Sequence, residues 1–358
     1  MVASPTLTGP AGTRAASASA GRVRVGVIGY GYWGPNLARN IAHHPETELV
    51  AIADRDHRRV AAALTAHPLV RLTTDAGDLL DDPGVDAVAI ATPAETHFAL
   101  ATAALERGKH VLVEKPLATN IRDAEALVGL ARKVDRVLMV DHTFLFTGAV
   151  QKLKSYIASG DVGDLYYYDS TRINLGLFQH DINVIWDLAP HDISIMLHLV
   201  DEPVRSVSAI GARHVEGQVE NIAYITLRFE SQLLAHFHVN WLAPAKVRRT
   251  IIGGSKKMIV YDDVEATEKL KVYDSGVELC ASEEEIYRRL VEYRTGDVLI
   301  PMLDKTEALA TETGHFVDVI RGRAEPISDG RFGAEVVRIL EAAQASLQRH
   351  GEPVEVQR

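Results

Sequence analysis

Two short stretches carry the side chains best suited to acid–base work: Val113-Glu114-Lys115-Pro116, and Asp187-Leu-Ala-Pro-His191 ahead of the apolar run Ile193 to Val200. Oxidising a secondary alcohol needs a base for the hydroxyl proton and a cation beside the developing alkoxide while hydride leaves. Lysine and histidine suit these tasks. Residues four apart share a helix face, so Asp187 and His191 project together if a helix starts only slightly upstream, with Pro190 in its first turn where no donor is lost. Each stretch also has a plainer reading. Lys115 would serve as a solvated lysine beginning a loop, and the Asp187–His191 pair as a chemically silent helix cap.

A place for the hydride is suggested near the N-terminus. The first β-branched run passes into Gly29-Tyr30-Gly31-Tyr32-Trp33-Gly34, a G-x-G-x-x-G spacing followed by Pro35. After a strand and before a helix, the first glycine permits a tight turn, the second lets backbone approach a pyrophosphate, and the third brings helix against strand. The helix N-terminus adds free N–H donors, and Pro35 suits the first helical turn. Asp54 falls about twenty residues beyond the last glycine, where a carboxylate binds ribose hydroxyls. This favours NAD. Arg55 beside it leaves NADP open, since a guanidinium accepts a 2′-phosphate.

These motifs need an α/β frame. From Val23 the sequence alternates VRVGVIG, a helix from Asn36 to His43, ELVAIAD, a helix from Arg58 to Ala66, and VDAVAIAT. Continuous apolar strands of this kind belong to a doubly wound parallel sheet covered on both faces. HVLVEKP and RVLMVDH extend it to Asp141, and Lys115 then lies at a strand's carboxyl end, where ligands of such sheets gather. After His142 come a helix from Val150 to Ser159 and the strands LYYYDSTRIN, VRSVSAIGARH, NIAYITLRF, LLAHFHVNW and RRTIIGG, then helices over Thr306–Arg321 and Ala334–Gln348. The expected fold is therefore α/β: a Rossmann domain over 22–142 and, over 143–358, a substrate-binding and oligomerisation domain with a large, mainly antiparallel sheet. Residues 1–21, rich in Ala, Ser, Thr, Gly and Pro, are expected to form a disordered tail.

The chain has 358 residues, 47% of them hydrophobic, and a formal charge of -10 spread among interspersed acids and bases, which argues against nucleic-acid and anionic-membrane surfaces. A small molecule is the expected partner. Cys280 is the one cysteine, so no intrachain disulfide and no cysteine metal cluster is available, and a reducing cytoplasm is the expected compartment. No apolar run reaches the roughly 18 residues of a membrane span. His236 and His238 share a strand face, but without a third ligand no metal site is expected.

Taken together, four motifs in order resemble the Gfo/Idh/MocA oxidoreductases, named after glucose-fructose oxidoreductase and inositol dehydrogenase. They are the glycine turn, Ala91-Thr92-Pro93 with His97 downstream, Glu114-Lys115-Pro116, and Asp187-x-x-x-His191. The resemblance implies a catalytic set of Lys115, Asp187 and His191, with His191 as general base, Lys115 polarising the reacting oxygen and Asp187 positioning the pair. It implies that Gly29, Gly31, Tyr32, Trp33, Gly34, Asp54, Arg55, Thr92, Pro93, His97, Glu114 and Lys115 surround the cofactor, and it allows a cis Lys115–Pro116 bond. The stretch from Arg172 to Asp187, including Gln179-His180-Asp181, looks like the subgroup of UDP-N-acetylglucosamine-type 3-dehydrogenases, which implies a nucleotide-linked sugar oxidised at C3. Arg172, Asn174 and Asn183, with Asp187 and His191, would meet it. Asn183-Val184-Ile185 replaces the Gly-Gly pair of many members, so sugar specificity stays open. The alternatives are an NADPH-dependent ketosugar reductase, an inositol or free-sugar dehydrogenase, and an NAD(P)-binding regulator without turnover. The resemblance also implies a homodimer or homotetramer, as does a sheet with helices on one face only.

Overall fold

A computed structural model describes residues 21–176, 182–215, 219–278 and 292–357. The expected tail, apart from Gly21, lies outside these residues, as do Gln179, His180, Asp181 and Cys280.

The first sheet is wholly parallel, in the order β3-β2-β1-β4-β5-β6, from β1 (Val23–Ile28), β2 (Thr47–Ala53), β3 (Arg71–Thr73), β4 (Ala87–Ile90), β5 (His110–Glu114) and β6 (Leu138–Asp141). Strands β1 and β4 are buried almost throughout because helices cover both faces. Those helices are α1 (Gly34–His43), α2 (His57–Ala66), the single turn α3 (Gly77–Leu80), α4 (His97–Glu106) and α5 (Ile121–Lys133). The strand order reverses between β1 and β4, and a crevice for a ligand opens at that point. Helix α1 begins at Gly34, earlier than the apolar pattern alone indicates, because Pro35 sits in its first turn.

The second sheet has nine strands in the order β16-β13-β12-β11-β7-β10-β9-β8-β17. Its centre is β7 (Leu165–Leu175), β8 (Val204–Ala212), β9 (Ile222–Phe229), β10 (Leu234–Asn240) and β11 (Leu242–Gly254). Beyond β11 lie β12 (Met258–Asp262), β13 (Leu270–Tyr273) and β16 (Val298–Leu299), β17 (Val354–Glu355) closes the other edge, and β14 (Gly276–Glu278) pairs with β15 (Glu292–Arg294) separately. Pairing is antiparallel except between β7 and β10, which run parallel. Helix α6 (Gly148–Ala158) precedes β7, and α7 (Val184–Leu199) lies over β7 and β10.

Helix α7 is the hinge between chemistry and scaffold. Its start is fixed by Asn183, whose Oδ1 accepts from Ile185 and Trp186 N–H while its Nδ2 donates to Gln344 at 2.8 Å. Pro190 lies well inside the helix rather than in its first turn. The apolar surface of α7 is almost continuous, so burial outweighs the one intrahelical bond a proline removes. Beneath it Arg172 on β7 and Asp192 on α7 form a buried two-pronged ion pair, at 2.7 and 2.9 Å, with the Phe144 ring 4.6 Å from the guanidinium carbon.

The last two helices return to the first sheet. Helix α8 (Ala308–Ile320) packs on α1, where Glu307 receives Arg39 in two hydrogen bonds. Helix α9 (Gly330–Gln348) spans both layers, touching β8 and α7 along one stretch and α5 and β6 along another. A Cβ at Gly333 would collide with Val140, so glycine is what lets α9 lie this close to β6. Among the described residues no helix is long and apolar enough to cross a membrane.

The Arg172–Asp192 pair is 3% and 5% exposed, so Asp192→Leu strands a guanidinium in the interior and is expected to cost ~3–5 kcal/mol in urea unfolding. Adding Arg172→Met to that variant should restore most of the loss. A single-variant cost near ~1 kcal/mol would place the pair in effective contact with water.

Candidate active site

The glycine turn closes tightly on β4. Gly29 has φ +96°, and a Cβ there would stand 2.5 Å from the Ala91 carbonyl oxygen; at Gly34 it would run into the Gly29 carbonyl. At Gly31 it would meet only the end of the Arg59 side chain, at 3.3 Å. The outer glycine positions thus serve packing, and the middle one meets only a flexible side-chain end, which leaves its backbone approachable. Asp54, following β2, is buried, with Oδ2 accepting from Tyr30 N–H at 2.7 Å and Oδ1 from Asp56 N–H at 2.8 Å. Arg59 reaches the same carboxylate at 3.5 Å, whereas Arg55, singled out in the sequence, is exposed. Tyr32 is 89% exposed, and Trp33 turns inward to donate from its indole N–H to Asp141 at 2.7 Å.

Thr92 and Pro93 lie in the loop after β4, and His97 opens α4 at its end. His97 is buried between two carbonyls, Thr92 O and Pro116 O, each 2.8 Å from a ring nitrogen. Its ring ties this loop to the one after β5, across the cis Lys115–Pro116 bond.

Lys115 extends from the end of β5 to α7. Its Nζ donates to the Asp187 carbonyl at 3.1 Å and stands 3.9 Å from Asp187 Oδ1. Asp187 Oδ2 accepts from the Trp241 indole N–H at 2.9 Å, which leaves the other oxygen toward the lysine. One helical turn on, His191 meets the Phe144 ring edge-on at 5.1 Å between centroids. Burial, then the cations Lys115, Arg172 and Arg248, hold its pKa well below the usual imidazole range. The site therefore favours the neutral imidazole at His191. Glu114 at the end of β5 is pushed the other way, well above the carboxylate range, by burial and the Asp141 charge, with Lys115 opposing.

Two residues expected at the substrate are used elsewhere. Arg172 is buried and its Nε and Nη2 are committed to Asp192, and Asn183 is the cap of α7 with its amide on Gln344 and Glu220. A polar side chain on a strand or before a helix finds its partner through tertiary contacts, and here both find internal ones. Asn174 is half-buried at the end of β7. Trp241, Phe144 and Arg248 join the site without having been picked out in the sequence. The one clue was Trp241, since a buried indole N–H needs an acceptor. No group of His, Cys, Asp and Glu able to hold a metal occurs among the described residues; His236 and His238 instead stack with Tyr224, at 6.0 and 4.5 Å.

Comparison with known proteins follows the same division of the chain. Residues 23–142 match the family model for an oxidoreductase family with an NAD-binding Rossmann fold, and residues 150–260 match the GFO/IDH/MocA C-terminal domain. An uncharacterized oxidoreductase, YdgJ, of Escherichia coli is 32% identical over 247 residues, 65% of this chain and 69% of its own. The UDP-N-acetylglucosamine 3-dehydrogenase of Acidithiobacillus ferrooxidans is 28% identical, over 91% of this chain and 99% of its own. A solved structure of that enzyme superposes with TM-score 0.75, covering 91% of this chain and 98% of the other. The myo-inositol 2-dehydrogenase of Thermotoga maritima is 25% identical over 91% and 96%.

His142, at the end of β6, is buried, neither ring nitrogen has a partner, and burial with Lys115 lowers its pKa from 6.5 to about 3. The unfolded chain takes up this proton below its ordinary pKa and the folded one does not, so stability is full above about pH 6.5 and is lost as pH falls toward about 3. Between about pH 7 and pH 5 this group accounts for about 2 kcal/mol. His142→Leu should shrink the drop in urea stability over that interval by a comparable amount. An unchanged drop would mean that the folded protein protonates the ring.

Proposed function

Since the chain belongs to the Gfo/Idh/MocA oxidoreductase family, whose first domain binds NAD, we propose that it transfers hydride between NAD and a secondary alcohol of a sugar, carried by a nucleotide and reacting at C3. The observation that supports this most is the meeting of Lys115 with Asp187 and His191 at the carboxyl ends of the parallel strands, beside the glycine turn. The turn fits the cofactor: its outer glycines have no room for a Cβ, the middle one leaves its backbone approachable, and the Asp54 carboxylate braces it at Tyr30 N–H. When bound, NAD supplies the hydride acceptor. The chain supplies the rest.

A hydroxyl lying between His191 and Lys115 loses its proton to an imidazole nitrogen, which is free to accept because burial, and then the nearby cations, favour the neutral ring. The Lys115 ammonium stabilises the alkoxide that forms. Asp187 holds Lys115 by its carbonyl and carboxylate and is itself held by Trp241, so the ammonium keeps one position through the reaction. With Arg172 and Asn183 engaged internally, Asn174, Asp187 and His191 are the earlier candidates left to meet substrate hydroxyls. The division of labour is a cofactor domain over 22–142 and a substrate domain over 143–358. The name of the Acidithiobacillus relative supports the nucleotide sugar, and that of the Thermotoga relative supports an inositol as the second reading.

We also infer that a second copy covers the open face of the nine-stranded sheet, where Tyr224, His236 and His238 stack and Ile210 and Leu234 stand exposed. Sedimentation should give a dimer or tetramer, and Tyr224→Asp should shift it toward monomer; a monomeric wild type would remove the idea.

Reduced-nicotinamide absorbance should grow when the protein and NAD meet a UDP-linked amino sugar, and not with myo-inositol or free glucose. Growth with inositol alone would move the assignment to the second reading. Lys115→Ala should lower turnover by ~10³-fold, while NADH binding, followed by fluorescence, changes less than about three-fold. A variant that keeps most of its activity would remove Lys115 from the chemistry.

A further inference from the structure

Helix α8 buries Leu309, Glu312, Thr313, Phe316 and Val317, the i, i+3, i+4, i+7 stripe of an amphipathic helix. A carboxyl therefore sits on the apolar face. Glu312 is 0% exposed, and neither oxygen has a hydrogen-bond partner at standard geometry; the polar group it abuts is the Asp141 carboxyl at the end of β6. Asp141 is in turn buried, accepting from Trp33 Nε1–H at 2.7 Å and from the Thr143 hydroxyl. Trp33 is the residue immediately before α1 in the phosphate-binding turn.

Two adjoining buried carboxyls without a cation between them cannot both be ionised. Asp141 is the one with two donors, which favour its charged form, so the proton belongs on Glu312. Of the groups facing Glu312, the Asp141 carboxyl from β6 and Glu114 from β5 reinforce this and the His142 backbone N–H opposes it, while Lys115 acts on Glu114 and His315 on the next turn of α8 packs against Phe146. Burial and the Asp141 charge raise its pKa well above the carboxylate range.

We propose that Glu312 is a positioning residue for the cofactor: as a neutral acid it donates to Asp141, which holds the Trp33 indole and so the turn from Gly29 to Gly34. The last domain's helix thereby sets the shape of the first domain's phosphate-binding turn. Loss of the proton brings two carboxylates together, drives Asp141 from its place and loosens the turn. This rests on the Gly29–Gly34 turn being the seat of NAD.

The test is NADH affinity of the full chain, read by energy transfer from tryptophan to NADH, from about pH 6 to about pH 9.5, with thermal stability without cofactor over the same range. The folded state keeps a proton that the unfolded state releases, so wild-type stability and affinity should both fall on the alkaline side. Glu312→Gln keeps a donor for Asp141 and cannot ionise; it should bind NADH nearly as the wild type does at about pH 7, with the alkaline decline of both quantities reduced. Glu312→Leu removes the donor and should weaken NADH about ten-fold. If Glu312→Leu does not fold, the pH profiles of Glu312→Gln decide. Affinity in Glu312→Gln as poor as in Glu312→Leu, or an alkaline decline identical to wild type, overturns the proposal. A wild type that binds no NADH at any pH removes the seat itself and the proposal with it, whereas binding with no alkaline decline overturns the proposal alone.

Discussion

The contact between Lys115 and Asp187 joins two sheets that otherwise have separate reasons to exist. Lys115 is delivered by the end of β5 in the parallel sheet, and Asp187 by a helix lying on the second sheet. An ammonium nitrogen 3.1 Å from a backbone carbonyl tolerates little relative movement of the layers. Much of the remaining structure fixes that one distance. Asn183 caps α7 and is held by Gln344 of α9, Arg172 grips Asp192 from below, and Trp241 anchors the Asp187 carboxylate from β11's leading edge. The last two helices complete the clamp by returning to the first sheet, α8 on α1 and α9 on β6.

The charges around the site fall into two layers of opposite sign. Facing α7, burial and then the cations Lys115, Arg172 and Arg248 hold the His191 pKa well below the usual imidazole range. Behind β5 and β6, Glu114, Asp141 and Glu312 crowd together, and burial favours protons on those with few donors. The arrangement follows from burial as much as from pairing: His142, whose ring nitrogens have no hydrogen-bond partner, is shifted mainly by desolvation.

The motifs that local physics dictates were legible in the amino-acid order. The glycine turn announces itself because a Cβ at Gly29 or Gly34 has nowhere to go, the parallel sheet because strands covered on both faces are apolar throughout, and the Asp187–His191 pair because a helix repeats every four residues. Helix α7 itself was readable, although its start was not: the burial of most of its surface carries a proline that propensity alone would place in the first turn.

What only the tertiary structure decided is which partner each polar side chain takes. Arg172 and Asn183 look like ligands for a sugar until Asp192, Glu220 and Gln344 occupy them. Trp241, Phe144 and Glu312 look like ordinary members of a strand, a loop and a helix until folding sets them against Asp187, His191 and Asp141. Sequence fixes spacing along one element, where neighbours are three or four residues apart. The pairing of groups a hundred or more residues apart, such as Trp33 with Asp141 or Asn183 with Gln344, depends on how layers pack, and burial then decides which of them carry charge.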